Sequence, residues 1–165
     1  MKRTTLCLMI FILLNLTTAQ AEWKSMGGQG KDVAVSKSGS TAWTIWSDNG
    51  IYFHSGGRWQ QYPGEGRGMA MAVSSEGTPF VIGMDNGIYK GTGSGWVQLP
   101  GGGKGKALAI DGKGNAWVIG MDDGIYYHDG VSWSQLPGGG RGHRITVNNS
   151  GIPLVIGLDY AVWRF

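Results

Sequence analysis

Asp48, Asp85, Asp122 and Asp159 recur at a fixed interval of 37 residues, and three cations, Arg67, Lys104 and Arg141, keep the same interval between them. A carboxylate, a cation and a flanking ring such as Tyr89 or Tyr126 can together hold the hydroxyls and the apolar face of a sugar. A few fixed polar groups at the mouth of a concave site are what orient a small ligand. Trp46 is a further candidate, because the three matching positions hold Gly83, Gly120 and Gly157 and this one bulky ring breaks the pattern. It reads as a stacking platform for one sugar ring or as local filler. Each aspartate likewise has a second reading: Asp is a favoured turn residue whose side chain bonds nearby backbone amides, with the neighbouring cation balancing its charge.

Other chemistry is excluded residue by residue. The run GGGKGK at 101–106 lacks the following Ser or Thr of a phosphate loop and opens a strand, so no helix N-terminus faces a phosphate. His54 and His128 share a repeat position and His143 stands elsewhere, which is not metal-ligand spacing; they read as solvent-exposed strand ends. Asp122 and Asp123 are neighbours in a turn, and nothing fixes the separation of about 5 to 9 Å between carboxylates that glycoside hydrolysis needs. No catalytic constellation, metal site or cofactor is expected. Asn148-Asn149-Ser150 is a glycosylation sequon only in a eukaryotic source.

The elements that must position these groups repeat with the same period. Trp59, Trp96 and Trp133 are 37 residues apart, Trp23 precedes them by 36, and Ile45, Ile82, Ile119 and Ile156 keep 37 throughout. One copy reads KALAI, DGKGN, AWVIG, MDDG, IYYH, DGVS and WSQLPGGG. Its short β-branched, aromatic or small-residue runs are bounded by Gly, Asp, Asn or Ser, which specifies strands and turns. Gly87 and Gly124 sit where a tight hairpin calls for positive φ. Four strands in a period near 40 residues is the signature of a propeller blade. Trp59, Trp96 and Trp133 are expected to fill space between blades with their indole N–H bonded to backbone. Trp43 and Trp117, with Phe80 and Leu154, read as second-strand packing residues.

The expected architecture is thus all-β, a four-bladed β-propeller spanning 22–165, with repeats at about 23–58, 59–95, 96–132 and 133–165. The fourth copy has only three strands, and its missing outer strand matches Glu22-Trp23-Lys24-Ser25-Met26. That segment is expected to pair into the C-terminal blade and close the ring, which removes an exposed edge. Ala34, Ala70, Ala72, Ala107 and Ala109 suit a narrow centre. A monomer closed in this way and an open chain pairing into an eight-bladed homodimer both remain possible.

Residues 1–21 read as a secretory signal peptide: Lys2 and Arg3, the apolar run LCLMIFILL, then Ala19-Gln20-Ala21. The apolar run is too short to span a membrane, which takes about 20 residues. A secreted or periplasmic protein follows. The one cysteine, Cys7, leaves with the leader, and with it go disulfides and thiolate chemistry. Lys2 and Arg3 supply two charges of the chain's net +3, so the remainder is nearly neutral and gives no electrostatic case for nucleic acid.

The strings GNAWVIGMDDGIYYHDGVSW and WSQLPGGGRGHRITV resemble the tectonin repeat of tectonin-type propeller lectins, over the whole chain after the leader. That resemblance implies binding of carbohydrate or of bacterial-surface glycans such as lipopolysaccharide. The same repeat is also similar to the short repeats of periplasmic sensor propellers. A propeller scaffold or inhibitor that binds a protein partner, without sugar specificity, is the other expectation.

Overall fold

The computed structural model describes residues 22–36, 39 and 41–165; the segment expected to be a leader, with Cys7 and the expected cleavage site, lies outside them. Fifteen strands form among the described residues, all in antiparallel sheets. The first blade holds β1 (Gly30–Val35), β2 (Ala42–Trp46), β3 (Ile51–Ser55) and β4 (Arg58–Gln61). The second holds β5 (Gly68–Val73), β6 (Pro79–Gly83), β7 (Ile88–Gly91) and β8 (Trp96–Gln98). The third holds β9 (Gly105–Ile110), β10 (Ala116–Gly120), β11 (Ile125–His128) and β12 (Trp133–Gln135). The last has only β13 (Gly142–Val147), β14 (Pro153–Gly157) and β15 (Val162–Arg164). Each sheet is up-and-down in chain order, so a repeat counted from its Trp begins one strand before the sheet it feeds.

The blades stack in series, β1 against β5, β5 against β9 and β9 against β13, and bury a wedge of side chains at each joint. Trp43, Ile45, Ile51 and Tyr62 of the first blade meet Met71 and Val81 of the second. Phe80, Ile82, Ile88 and Leu99 of the second meet Ala116 and Val118 of the third. The third joint is thinner, built on Ala107, Ile119 and Val155. The repeated isoleucines anchor these wedges: Ile45, Ile82 and Ile119 are fully buried, and burying such a side chain is worth about 1.5–3 kcal/mol.

The ring is not closed. Among the described residues Glu22–Met26 forms no strand, Trp23 is fully exposed, and no fourth strand lies beside β15. The expected pairing of the N-terminal segment into the last blade is therefore absent, and the four sheets form an open arc. Both ends of the arc show it. Leu154 is 38% exposed, whereas Phe80 at the same repeat position is 2% exposed, because among the described residues no further sheet packs on that side of β14. Val33 is 72% exposed, whereas Met71 at the matching position of β5 is 6% exposed, because among the described residues no other sheet packs on that side of β1. Of the alanines expected to line a narrow centre, Ala34 and Ala70 flank the first two wedges and Ala107 lies in the third.

The hairpin turns differ from expectation in one detail. Positive φ falls on the residue before the glycine, Asn49, Asn86 and Asp123, with Tyr160 in the last copy, and not on Gly87 or Gly124. Asn86 N–H donates to the Gly83 carbonyl at 2.9 Å and Gly83 N–H to the Gly87 carbonyl at 2.8 Å, a three-residue hairpin loop whose last residue is left-handed. Asn and Asp tolerate that conformation better than other side-chain-bearing residues. Gly87 is required for space: a Cβ there would lie 2.9 Å from the Tyr89 ring and 3.1 Å from the Asp85 carboxylate.

Candidate functional site

The four aspartates close the β2–β3 type hairpins of their blades. Asp85 Oδ1 accepts the Gly87 N–H at 3.0 Å and its Oδ2 accepts the Tyr89 hydroxyl at 2.9 Å. Asp122 repeats this with Gly124 at 3.1 Å and Tyr126 at 2.7 Å. Asp159 accepts Ala161 N–H at 3.0 Å and Trp163 Nε1–H at 3.3 Å. The tyrosine hydroxyl, then the glycine N–H, hold the Asp85 and Asp122 carboxyls below the usual carboxylate range, and the same bond pushes Tyr89 and Tyr126 upward. Asp159 is lowered by the Ala161 amide first and the Trp163 indole next. All four carboxylates remain on the surface.

Arg67, Lys104 and Arg141 are exposed and lie in the connections entering the second, third and last blades. Each forms a bridge with the turn glycine of the preceding blade, Gly50, Gly87 and Gly124 respectively. The neighbouring amides tighten the joint: Gly68, Gly105 and Gly142 donate to the carbonyls of Asn49, Asn86 and Asp123 at 2.9, 2.9 and 3.0 Å. One consequence is electrostatic, since Lys104 lowers Asp85 and Arg141 lowers Asp122 across the joint. The repeated aspartates and cations thus lie along one edge of the arc. Among the described residues they are not in direct ion pairs; the ion pair on this edge joins Lys106 to Asp123.

These groups converge on grooves that repeat with the sequence period. A pocket of about 330 Å³ brings together Arg67, Met84, Asp85, Tyr89 and Trp96. A second of about 330 Å³ brings together Lys104, Met121, Asp122, Tyr126 and Trp133, every member 37 residues on. The floor is glycine for a steric reason: Trp96 lies over Gly64 and Gly66, and Trp133 over Gly101 and Gly103, where a Cβ on Gly103 would come within 2.5 Å of the indole. The third groove, about 450 Å³, holds Arg141, Leu158, Asp159 and Trp163 against Gly138 and Gly140, and it contains no outer-strand tryptophan.

The matching space in the first blade is filled. Trp46 stacks on Tyr52 with ring centroids 3.9 Å apart, and a Cβ on Gly28 would meet the indole at 3.2 Å. The ring expected to offer a free face is thus packed on one side by Tyr52. Its bulk also loosens the local couple, for Tyr52 reaches Asp48 only at 3.4 Å while Gly50 N–H still donates to Asp48 at 2.8 Å.

Three further expectations are corrected. Trp59 Nε1–H donates to the Met26 and Gly27 carbonyls at 3.0 Å each, but the indole N–H groups of Trp96 and Trp133 are buried without a partner among the described residues. His128 is not an exposed strand end. It is 2% exposed, its Nδ1 accepts the Gly130 N–H at 3.0 Å, and its ring meets Trp133 edge to face at 4.7 Å. His54 is half-buried in the same relation to Trp59 at 5.1 Å. Met84, Met121 and Leu158, which are not among the residues expected from the sequence, are about half exposed at the groove mouths. Their own 37-residue spacing was the available signal.

No helix among the described residues is long and apolar enough to cross a membrane, and no group of three or more His, Cys, Asp or Glu side chains among them could hold a metal ion. No protein-family model matches the chain, and no curated protein sequence matches it. Solved structures do, and they are β-propellers. A structural-genomics protein of unknown function from Bacteroides thetaiotaomicron is 11% identical with a TM-score of 0.61, over 83% of this chain and 47% of that one. A streptogramin B lyase is 16% identical with a TM-score of 0.59, over 87% of this chain and 56% of that one. YCF48 bound to a D1 peptide is 16% identical with a TM-score of 0.51, over 78% and 46%. The chain thus spans about half the length of the propellers it matches, and the likeness establishes a β-propeller fold.

Proposed function

We propose that this protein is an exported, non-enzymatic carbohydrate-binding propeller of the tectonin-like kind, which holds glycan or lipopolysaccharide in the grooves beside Asp85, Asp122 and Asp159. The observation that carries this reading is the recurrence of one amphipathic groove, with a cation, a Tyr-tethered carboxylate and a Trp wall placed identically at Arg67–Asp85–Tyr89–Trp96 and Lys104–Asp122–Tyr126–Trp133. The tether fixes each carboxylate before a ligand arrives, so less ordering accompanies binding. Weak grooves in a row gain strength on a repetitive surface through effective concentration. Export through the N-terminal leader would place them outside the cytoplasm.

The test is calorimetric titration of purified lipopolysaccharide and of a glycan panel, with Asp85→Ala/Asp122→Ala as the control. Binding that the double variant loses supports the reading, and no binding at millimolar sugar ends it. A second reading, capture of a protein or peptide partner, is favoured by the exposed Met84 and Met121 at the groove mouths, since methionine adapts to varied apolar surfaces. YCF48, one of the similar propellers, has been solved with a peptide. Co-purification of a partner that excess sugar does not displace would select this reading.

A further inference from the structure

We propose that two copies of this chain join head to tail into one closed ring of eight blades, in which Trp23 of each copy enters the open groove beside the last blade of the other. The proposal stands whatever the grooves bind.

The groove identifies its own missing part. Its lining is the 37-residue translation of the two complete grooves: Gly101, Gly103, Val118, Met121 and Asp122 become Gly138, Gly140, Val155, Leu158 and Asp159. In the complete grooves the indole of the fourth strand covers the glycine floor. Here a Cβ on Gly138 would meet nothing within 4 Å and one on Gly140 only Ile125. Trp23 is the one outer-strand tryptophan without a groove, lying 36 residues before Trp59 and fully exposed.

The register is set by the blades already built. Trp59 pairs with His54 and Trp133 with His128, each pair meeting edge to face. The same register puts Trp23 opposite Phe165, another aromatic pair, and Ser25 opposite Trp163. It also puts Lys24 opposite Arg164, a like-charge contact that disfavours the pairing and that the contacts of Phe165 and Trp163 on either side must outweigh.

Geometry favours the second copy over the chain's own last blade. Trp59 ties Met26 and Gly27 to the outer edge of the first blade, so Trp23 is within about four residues of that anchor, a reach of about 13 Å. The two ends of the arc are both uncovered, Val33 and Val35 at one and Leu154 and Val162 at the other. Arg144 of β13 occupies the position at which Ala70 and Ala107 face the next blade, and it needs more room at that joint than either alanine takes, as a wider ring provides. An arc matching about half of a solved propeller closes with one further copy related by a two-fold axis.

Sedimentation of the full-length protein carrying Cys7→Ser tests the assembly directly, and the expected mass is that of two chains. Trp23→Ala should raise the dissociation constant at least about 30-fold, as for an aromatic anchor at an interface. Mixing Trp23→Cys with Phe165→Cys in the Cys7→Ser background, followed by oxidation, should cross-link the two different variants, since directly opposed strand residues lie within disulfide range. A single-chain mass at tens of micromolar, or a two-chain mass that Trp23→Ala leaves intact, overturns the proposal. So does cross-linking confined to the double variant within one chain. Glycan binding through the two complete grooves needs no partner copy, so its loss and the loss of the ring are read separately.

Discussion

The Tyr126 hydroxyl donates to the Asp122 carboxylate at 2.7 Å, and this side-chain bond joins the start of β11 to the turn before it. Tyr89 and Asp85 are related in the same way at 2.9 Å. The bond explains why both partners titrate away from their ordinary values, and it sets the pH behaviour of the fold. Asp85, Asp122 and Asp159 are lowered in the folded state, so the stability they contribute is present above the ordinary Asp value of about 3.9 and is lost as pH falls through their folded values. Tyr89 and Tyr126 are raised, so their contribution is present below about 10 and is lost as pH climbs through theirs. Melting temperature should therefore hold across neutral pH and drop at both extremes. Asp85→Asn/Asp122→Asn should flatten the acid limb in a thermal-melt series.

Asp111 secures the opposite edge of the third blade. It is buried, and it accepts from Lys113 N–H at 2.8 Å, Asn115 N–H at 3.0 Å, Asn115 Nδ2 at 3.0 Å and Trp117 Nε1 at 3.2 Å. Burial alone would raise its pKa, yet the bonds from Asn115, Trp117 and Lys113 outweigh that and hold it low. Asp111→Ala strands these donors and should cost about 2–4 kcal/mol in urea unfolding, and Asp111→Asn less.

Gly103 and Gly95 separate space from flexibility. A Cβ on Gly103 enters the Trp133 ring, whereas one on Gly95 meets nothing within 4 Å. Gly103→Ala should destabilise by about 1–3 kcal/mol and change the near-ultraviolet signal of the displaced indole. Gly95→Ala should stay within about 0.5 kcal/mol of the parent.

Trp46→Gly should open the one groove that is plugged, leaving Asp48 and Tyr52 as Asp85 and Tyr89 are. On the carbohydrate reading, calorimetry should record a higher number of ligands bound per chain. The change also removes the stacked partner of Tyr52, with a stability loss of about 2 kcal/mol or more.

The blades were legible because their information is local. Ile45, Ile82 and Ile119 lie inside the wedges that their common spacing implies, and the turn aspartates fall on one edge as the strand order requires. What periodicity could not reveal is anything set by a neighbour's presence or absence. Leu154 shares a repeat position with Phe80, yet only one of them has a blade to meet. His128 and His54 share another, and the residues around them decide that one is sealed and the other half open. Ring closure failed for the same reason: a matching sequence at 22–26 states compatibility with the last sheet, not that the two meet within one chain. Trp46 shows a further limit, since a departure from the repeat marks a changed groove without saying whether the change offers a surface or removes one.

The backbone bonds from Gly68, Gly105 and Gly142 to the turn of the preceding blade make each module depend on its immediate neighbour and on no other. Such a chain behaves as a linear array, in which cooperativity passes from module to module and is weakest at the boundaries. The wedge behind β13–β15 is the slimmest of the series, so amide protons there should exchange soonest in an isolated molecule. Whatever comes to rest against that outermost sheet would finish its folding in the act of binding.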